Sequence, residues 1–361
     1  MSLNDVYKLT PTEELWAVPQ SYDAVFDWSY DDSRDELIKL YEKGKTQQWN
    51  ATHRIDWDLE LGEDNPNGVP DEFFPIFGSD IWEKMSDAEK AVTRRNYQAW
   101  TVSQFLHGEQ GALFCASKIV QQVPDMEAKF YAATQVIDEA RHVEAYQKLL
   151  KKYEAAYPIT GPLKTLLDQV MQDSRWDMTY LGMQVVIEGL ALAAFAMTRD
   201  LATNQLASQV NAYVMQDEAR HVAFGRLTLR DYYPELTEAE RDEREEFLVE
   251  ACYHMRDRFM AKEVWEALGL PVEACMAHIE QSEGMKLFRS NLFSRIVPVV
   301  KDIGLWGDRV TKAYADMGIL GFAQTDIDAL QENDDLVAKQ FDERRRYVES
   351  VAGEARATAA E

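Results

Sequence analysis

The chain has 361 residues, a formal net charge of −25 at pH 7 and a hydrophobic content of 46%. This content is enough for a large packed core, and the charge disfavours partners such as nucleic acid or an anionic membrane surface. No run of about eighteen apolar residues predicts a membrane span, and no signal peptide is evident, so we expect a cytoplasmic protein. The three widely spaced cysteines fit buried thiols in a reducing compartment.

The N-terminal part of the chain predicts an arm that packs on a helical core. We assign residues 1–85 to this arm, with one helix at 33–48 and an irregular stretch at 49–77. A capping-box pattern at 86–89 then predicts the start of a long helix over 87–122.

Three further helices complete the predicted core, which spans 86–232. The second helix begins at Pro124 and ends near 157–158. The third begins after Thr160 and is broken near 175–178, and the fourth covers 205–232.

The C-terminal part of the chain also reads as helical. Residues 233–325 predict additional helices of the same domain, and a second capping box at 237–240 predicts a helix that reaches about residue 268. Residues 326–361 predict a charged helical tail. The whole chain is therefore expected to be all-α.

One six-residue string, Asp-Glu-Ala-Arg-His-Val, occurs at 138–143 and again at 217–222, and a glutamate lies 30 residues before each motif glutamate, at Glu109 and Glu188. A glutamate and a histidine three residues apart lie on one face of a helix and can bind one metal ion. Two such helices and two helices with one glutamate each supply four carboxylates and two imidazoles, the donor set of di-iron and di-manganese helical bundles.

The spacing of these residues also predicts their arrangement in space. The midpoints between the paired glutamates are Pro124 and Thr203, and both lie in turn-like sequence. If each pair forms an antiparallel hairpin, both glutamates lie roughly 20 Å from the turn and face each other. We therefore expect one or two bridging glutamates and two metal sites, the first with Glu109, Glu139 and His142 and the second with Glu188, Glu218 and His221.

A single Glu-x-x-His on a helix is more often a solvated or capping pair than a metal site. Repetition of the whole string at equal distance from two further glutamates makes that interpretation improbable here. Glu188 lies in a segment that is apolar on nearly all sides, where a charge requires compensation. A bound metal provides it.

Charged residues also flank the ligands. Asp138 and Asp217 precede the motif glutamates, and Arg141 and Arg220 precede the histidines. A metal-bound imidazole normally donates its other N–H to a carboxylate or carbonyl, so we expect the aspartates to hold the histidines, preferably those of the facing helix. The arginines would then neutralise the aspartates. Surface ion pairs within each helix are the alternative.

This order of motifs, over about residues 95–230, resembles the ferritin-like di-iron carboxylate oxygenase superfamily. It is similar to the hydroxylase subunits of bacterial multicomponent monooxygenases, to acyl carrier protein desaturases and to the small subunit of class I ribonucleotide reductase. The resemblance implies a ferritin-like four-helix bundle with additional N- and C-terminal helices. It also implies two iron ions, with manganese possible, that reduce O2 at Glu109, Glu139, Glu188 and Glu218 and oxidise an organic substrate.

The chain departs from these relatives at two positions and matches one of them at a third. Monooxygenase hydroxylases often have a threonine where this chain has Leu192. Arylamine N-oxygenases of the superfamily have a further histidine ligand where it has Val214, which disfavours an N-oxygenase of that kind. Tyr146 has the offset of the reductase's radical tyrosine, but packing or hydrogen bonding is the commoner role for such a residue.

The sequence thus predicts an O2-dependent monooxygenase or hydroxylase for a small or medium, largely apolar organic molecule. The residues one turn from the single glutamates are mostly apolar and fit such a cavity or ordinary bundle core. The chain has no flavin or iron–sulfur motif, so a ferredoxin or flavoprotein reductase is expected as electron donor. A homodimer is the commonest soluble assembly. The alternatives are an oxidase or radical protein like the reductase small subunit, and a ferritin-like ferroxidase.

Overall fold

The computed structural model describes residues 2–11, 15–30 and 33–360, with side chains for all of these except 345 and 347–360. Regular structure in the described residues is helical apart from one isolated parallel β-bridge, between Tyr7 and Ala156. The all-α prediction is confirmed.

The N-terminal arm contains short helices that lie against the core. They are two 3-10 turns, Leu3–Val6 and Asp71–Phe73, and the helices α1 (Asp35–Thr46), α2 (Ala51–Arg54) and α3 (Asp80–Lys84). Helix α1 was predicted, and it packs on two helices of the core, Met126–Tyr153 and Gln205–Tyr232. The following residues, 47–49, enter the polar network described below.

The first hairpin of the core consists of α4 (Asp87–Gln122) and α5 (Met126–Tyr153). The predicted capping box at the start of α4 is present: the Ser86 hydroxyl accepts from the Glu89 N–H, and the Glu89 carboxylate accepts from the Ser86 N–H. Helix α5 ends earlier than predicted, because Glu154 adopts a left-handed conformation with φ 54°.

The second hairpin is less regular. After α6 (Gly161–Gln172) the chain breaks where predicted and forms a continuous 26-residue helix, Trp176–Leu201. It comprises α7 (Trp176–Tyr180), a π-helical segment (Leu181–Ile187) and α8 (Glu188–Leu201). Helix α9 (Gln205–Tyr232) returns antiparallel to it, so both predicted turns are confirmed.

The helix Trp176–Leu201 is long and apolar enough to cross a membrane, with a mean hydropathy of 1.6 in its most apolar window. However, 78% of that window is buried within the protein, as expected for the central helix of a bundle. The π-helical segment was not predicted. It ends directly before Glu188, and π turns of this kind are frequent at functional sites.

The C-terminal helices cover one side of the core. The helix predicted to reach residue 268 is broken: α10 (Glu238–Asp257) passes through a 3-10 turn, Arg258–Met260, and Ala261 has φ 48° before α11 (Lys262–Ala267) begins. The remaining helices are α12 (Val272–Gln281), α13 (Glu283–Asn291), α14 (Ile296–Asp302), α15 (Asp308–Asp316) and the predicted tail α16 (Ile327–Ala360).

One cluster of buried apolar side chains connects the arm, the four long helices and the C-terminal helices. Its members include Trp82, Trp100 and Trp265, each at most 1% exposed. The buried polar side chains include a group of charged residues on α4, α5, α8 and α9. The division of the chain into four parts remains a prediction.

Candidate metal centre

Six side chains from four helices meet at the centre of the bundle, and none is more than 5% exposed. Helix α4 contributes one of them, α8 contributes one, and α5 and α9 contribute two each. They are the six predicted ligands, Glu109, Glu139, His142, Glu188, Glu218 and His221. The equal spacing of the two glutamate pairs therefore does place them at one depth.

The first group of donors surrounds His142. Its Nδ1 atom lies 3.3 Å from Glu109 Oε2, 3.3 Å from Glu139 Oε2 and 3.0 Å from Glu218 Oε1. These four residues offer atoms that all lie within 4.8 Å of one another. They can hold one metal ion.

The second group surrounds His221. Its Nδ1 atom lies 3.1 Å from Glu139 Oε1 and 3.4 Å from Glu218 Oε1, and Glu188 joins it across the site. Glu139 and Glu218 each approach both histidines, whereas Glu109 and Glu188 approach one side each. The geometry thus makes the two motif glutamates the bridging candidates.

Each histidine is held from behind by an aspartate of the opposite hairpin. His142 Nε2 lies 3.1 Å from Asp217 Oδ2, and His221 Nε2 lies 3.2 Å from Asp138 Oδ2. With Nε2–H donating to the aspartate, Nδ1 presents its lone pair to the centre, as a metal ligand requires. Of the two arrangements considered from the sequence, the structure has the one with the facing helix.

Two arginines complete this buried network. Arg141 donates to Asp138 and, at 2.7 Å, to Asp217, and Arg220 donates to both aspartates as well. Both aspartates are 0% exposed, so these are not surface pairs. Burial raises the pKa of Asp217, but Arg220, His142 and Arg141 lower it more, and the net shift is well downward.

The N-terminal arm supplies polar groups that the sequence did not reveal. Gln48 donates to Asp138 at 2.7 Å and accepts from Arg141 at 2.7 Å. The Trp49 indole N–H donates to Asp217 at 2.7 Å. The arm thus closes the outer side of the network, and only its tertiary position identifies these residues.

Gln135 is a second group that sequence reasoning missed. Its amide donates to Glu139 Oε1 at 3.0 Å and to Glu188 Oε1 at 2.9 Å, so it links one bridging candidate to one single glutamate. Gln135 lies one turn before Glu139 and is 0% exposed. The signal available in the sequence was a glutamine one turn before a predicted ligand.

The residues present fit a pair of divalent metal ions. Four buried atoms at the centre make no hydrogen bond of acceptable geometry. Glu188 Oε2 is one of them, and the other three, Glu139 Oε2, Glu218 Oε1 and His221 Nδ1, have only the ionic contacts of 3.0–3.4 Å given above. Buried polar atoms normally have a partner, and all four of these are metal donors in type. The four carboxylates also balance the charge of two divalent ions. Metal binding itself stays a prediction.

Without metal, four of the six ligands have raised pKa values. Burial, followed by the negative charge of Glu218, raises the pKa of Glu109 and Glu188 well above the usual range of a glutamic acid. Burial lowers the pKa of both histidines, but the surrounding carboxylates outweigh it and the net shift is well upward. Metal binding must displace these protons.

A narrow cavity lies beside the single glutamates. It is lined by Glu109, Glu188 and Glu218 on the metal side, by Phe105, Ala112, Ile187, Ala191 and Phe195 on the apolar sides, and by Gln104, Gly108 and Arg258. The volume open to the centre of a water molecule is about 20 Å³, so side chains must move to admit a substrate. Leu192, at the position where relatives often have a threonine, lines a separate cavity under α14 and α16.

The helical bundle and its carboxylate–histidine cluster define a protein of the ferritin-like di-iron and manganese oxygenase superfamily. Within that class, the chain belongs to the family described as p-aminobenzoate N-oxygenase AurF, whose family model matches residues 31–304. A search of curated proteins finds no match.

Several solved structures are similar in fold. An R2-like ligand-binding oxidase with a Mn/Fe cofactor is 18% identical, with 75% of this chain and 94% of that chain covered and a TM-score of 0.45. A Synechococcus protein with aldehyde deformylating oxidase activity is 14% identical, with 62% and 97% covered and a TM-score of 0.46. The Saccharomyces cerevisiae ribonucleotide reductase Rnr4 is 14% identical, with 76% and 83% covered and a TM-score of 0.47. Similarity at this level says nothing about substrate.

The family match corrects one expectation. Val214 led us to disfavour an N-oxygenase, but the chain belongs to the N-oxygenase family. Val214 therefore does not exclude membership of that family. Val214 itself is 0% exposed and offers no donor atom, so the described residues supply six ligands and no seventh histidine at that position. The position of one ligand does not decide membership of a family.

Proposed function

We propose that this protein is an O2-dependent di-iron monooxygenase that oxidises a small or medium, largely apolar organic molecule. One observation carries the proposal: three of the six buried donor residues, Glu109, Glu188 and Glu218, form one wall of a cavity whose other walls are mainly apolar. The family match supports an oxidase or oxygenase at such a centre. We propose iron at both metal positions, with manganese at one of them as the alternative.

Bound at these ligands, two ferrous ions would supply the electrons and the open coordination positions for the reduction of O2. Glu139 and Glu218 hold the two positions together, because each approaches both histidines. Asp217 and Asp138 fix the orientation and tautomer of the histidines. Phe105 and Phe195, with ring centroids 4.6 Å apart, exclude water from the substrate side.

Electrons for further turnovers are proposed to come from a ferredoxin or flavoprotein reductase. The protein is proposed to be a cytoplasmic homodimer without nucleic-acid or membrane partners, in keeping with its net charge of −25. Gel filtration at physiological salt tests the assembly: a mass of two chains is expected, and a cage-sized particle would instead favour a ferritin-like ferroxidase.

The central test is anaerobic loading with ferrous iron, metal quantification and stopped-flow absorbance on mixing with O2. We expect two irons per chain and a transient absorption whose decay accelerates with added apolar substrates. Oxidation of two irons with no substrate-sensitive step would favour the ferroxidase or oxidase alternatives. Fewer than two metals would contradict the site itself.

A second candidate reaction is the N-oxygenation of an aromatic amine, which the description of the family favours. The same loaded protein, mixed with O2 and p-aminobenzoate, tests it: formation of hydroxylamino, nitroso or nitro products would establish this reaction. Unchanged p-aminobenzoate, together with oxidation at carbon of other substrates, would exclude it as the main activity.

A radical protein is the remaining alternative, and Tyr146 is its candidate residue. Its hydroxyl donates to Asn211 at 3.2 Å, and its ring packs against both Phe105 and Phe195. This is the environment of a packing and hydrogen-bonding tyrosine. Electron paramagnetic resonance after exposure to O2 tests the alternative, because a stable tyrosyl signal that is absent in Tyr146→Phe would support it.

A further inference from the structure

The outer face of the first hairpin carries an apolar stripe at the solvent surface. On α5, the exposed positions from 130 to 140 are spaced by three, four and three residues, and they are Phe130, Ala133, Ile137 and Ala140. Phe130 is 37% exposed and Ile137 is 57% exposed. Apolar residues at this alternating spacing line one side of a helix, as in the seam of a coiled coil. We call these four residues the α5 stripe.

Helix α4 widens this face and adds no charge to it. Because the hairpin places Glu109 and Glu139 at one depth, Phe114 on α4 lies level with the middle of the α5 stripe, and it is 52% exposed. The charged residues and the histidine within 110–121 and 130–143 are each at most 6% exposed, and they are Lys118, Asp138, Glu139, Arg141 and His142. In a chain with 28% charged residues, these two neighbouring stretches expose none.

Three aromatic residues of the N-terminal arm extend the face at the turn of the hairpin. The arm is tied to this turn on both sides of them. The Val25 N–H donates to the Gln121 carbonyl at 2.8 Å, and the Ser33 N–H donates to Glu127 at 2.6 Å. The aromatic residues between these ties are 71–78% exposed, and they are Phe26, Trp28 and Tyr30. Grouped apolar side chains at a surface mark a site of contact with another molecule.

The equivalent face of the second hairpin is covered by the chain itself. The repeated six-residue string aligns α5 with α9, and the residues of α9 that correspond to the α5 stripe are each at most 6% exposed: Gln209, Ala212, Gln216 and Ala219. Helix α16 packs on α9, and with α14 it encloses a small cavity against Ala219. Within the described part of the chain, the α5 stripe has no such cover. The difference points to a second molecule as the missing layer on the first hairpin.

The α5 stripe is complementary in shape to a second copy of itself. Large and small residues alternate along it. If two α5 helices pack antiparallel about a twofold axis near position 135, Phe130 lies opposite Ala140 of the partner subunit, and Ile137 lies opposite Ala133 of the partner subunit. Each large side chain then meets a small one, so the two helices can approach closely.

Charge and area also fit a second copy. Two chains with a net charge of −25 repel each other, and a contact without exposed charge places no like charges side by side. At roughly 200 Å² for an aromatic side chain, the exposed fractions of Phe26, Trp28, Tyr30, Phe114 and Phe130 amount to roughly 600 Å². A standard interface buries about 800 Å² on each partner, a size that the face reaches with Ile137 and the two alanines.

We propose that two copies of this protein associate through the α5 stripe, with Phe114 and the aromatic residues of the arm at its borders. This inference rests on the homodimer of the proposed function, and it names the surface through which that dimer forms. The stripe lies on the outer side of the helix that supplies Glu139 and His142, so the contact supports one of the two helices that each provide two metal ligands.

Sedimentation of the full chain tests the proposal. We expect a dimer for the unaltered protein, and a dissociation constant that rises at least about a hundredfold in Ile137→Glu, because each copy then brings an unpaired carboxylate into the contact. Leu287→Glu is the matched control: Leu287 is 63% exposed on α13, outside the first hairpin, and its replacement should change the constant less than about threefold. A monomeric unaltered protein, or a dimer that Ile137→Glu leaves intact, overturns the proposal.

An engineered disulfide tests the twofold arrangement and also covers the case in which Ile137→Glu fails to fold. The three native cysteines are buried and do not interfere. We expect the double variant Ala133→Cys/Ile137→Cys to form a covalent dimer on mild oxidation, with position 133 linked to position 137 in peptide mapping. Ala133→Cys/Val92→Cys is the control, since Val92 is exposed on α4 far from the stripe, and it should give no link through position 92. Absence of the link between 133 and 137 overturns the arrangement.

The response to salt is specific for a contact without charge. The dimer should become tighter as salt rises from about 0.01 to 0.1 M, because the Debye length shortens from about 30 to about 10 Å and the repulsion between the two chains falls. A dimer that weakens over this range is held by ion pairs, which contradicts the proposal. Failure of the proposed function is visible separately, because it removes metal binding or O2 consumption in the unaltered protein, whereas failure of this inference changes only how the chains associate.

Discussion

The two hairpins of the core carry the same ligand string, yet their surroundings differ. One turn before the motif glutamate, α5 has Gln135, which binds two ligand carboxylates, and α9 has Val214. One turn after the motif histidine, α5 has Tyr146 and α9 has Gly225. The first hairpin is α-helical across the site, whereas the second reaches it through a π-helical segment. The donors are duplicated, and the packing around them is not.

Loss of a bridging glutamate should have the largest effect and should be equal in both hairpins. Glu139→Ala and Glu218→Ala each remove a carboxylate that approaches both histidines. We expect fewer than two irons per chain and loss of the O2 reaction, beyond the roughly 10- to 100-fold effect of altering residues behind the ligands. Iron quantification and stopped-flow absorbance measure both.

Glu144→Ala is the control for these variants, since Glu144 lies on α5 but pairs with Lys148 at the surface. It should retain two irons. Full iron content and activity in either bridging variant would refute the ligand assignment.

The aspartates behind the histidines should show the next largest effect. Asp217→Asn and Asp138→Asn each weaken the hold on a histidine of the other hairpin and leave buried arginines with less negative charge nearby. We expect a loss in metal affinity of about 10- to 100-fold in each, measured by competition with a chelator. A difference between the two of more than about tenfold would show that the crossed network is not symmetric in energy.

The glycine of the second hairpin should matter for stability rather than for metal affinity. A Cβ added at Gly225 would lie 2.6 Å from Gln184 Cβ on the π-helical segment. We expect Gly225→Ala to lower the free energy of unfolding by about 1–3 kcal/mol, as overpacking does. Gly284→Ala, in a helix with open space around it, should instead raise it by about 0.5–1 kcal/mol. If chemical denaturation gives the same change in the free energy of unfolding for both variants, close packing at Gly225 is not a difference between the two hairpins.

The change in stability with pH is the smallest effect that we expect. Each hairpin contributes one glutamate to this change. In the metal-free protein the pKa values of Glu109 and Glu188, and of both histidines, are raised, so their stabilising contribution is full at low pH and is lost as pH rises through the folded pKa values. The pKa of Glu139 is lowered, so its charge is constant in this window.

The metal-bound protein needs these groups deprotonated at every pH. The difference in Tm between the loaded and the metal-free protein should therefore widen as pH rises above about 4.5, the ordinary pKa of a glutamic acid. A difference that narrows over this range would contradict the assigned direction of these shifts.

The sequence predicted the parts of the site that depend on local spacing. The turns after Gln122 and Leu201 followed from equal distances between glutamates, and the helix starts at Asp87 and Glu238 followed from capping boxes. The helix starts are set within one helical turn, and the hairpin turns follow from spacing along a single hairpin, so a pattern of residues is enough to find them.

The parts that were missed depend on contacts between distant segments. Arg258 lies in the 3-10 turn that follows the end of α10 at Asp257, and no glycine or proline marks that end of the helix. Trp49 contacts Asp217 across 168 positions of the chain. The π-helical segment keeps an ordinary apolar pattern in the sequence, because all of its side chains are buried. Tertiary packing determines all three, and it overrides local preference.

The crossed hydrogen bonds from Asp138 to His221 and from Asp217 to His142 have a consequence for how the protein matures. Neither hairpin contains both a histidine and the carboxylate that orients it, so half of the chain cannot assemble half of the site. While only the first hairpin has left the ribosome, no complete metal-binding site is present. Metal binding at the proposed centre would therefore require α5 to be packed against α9.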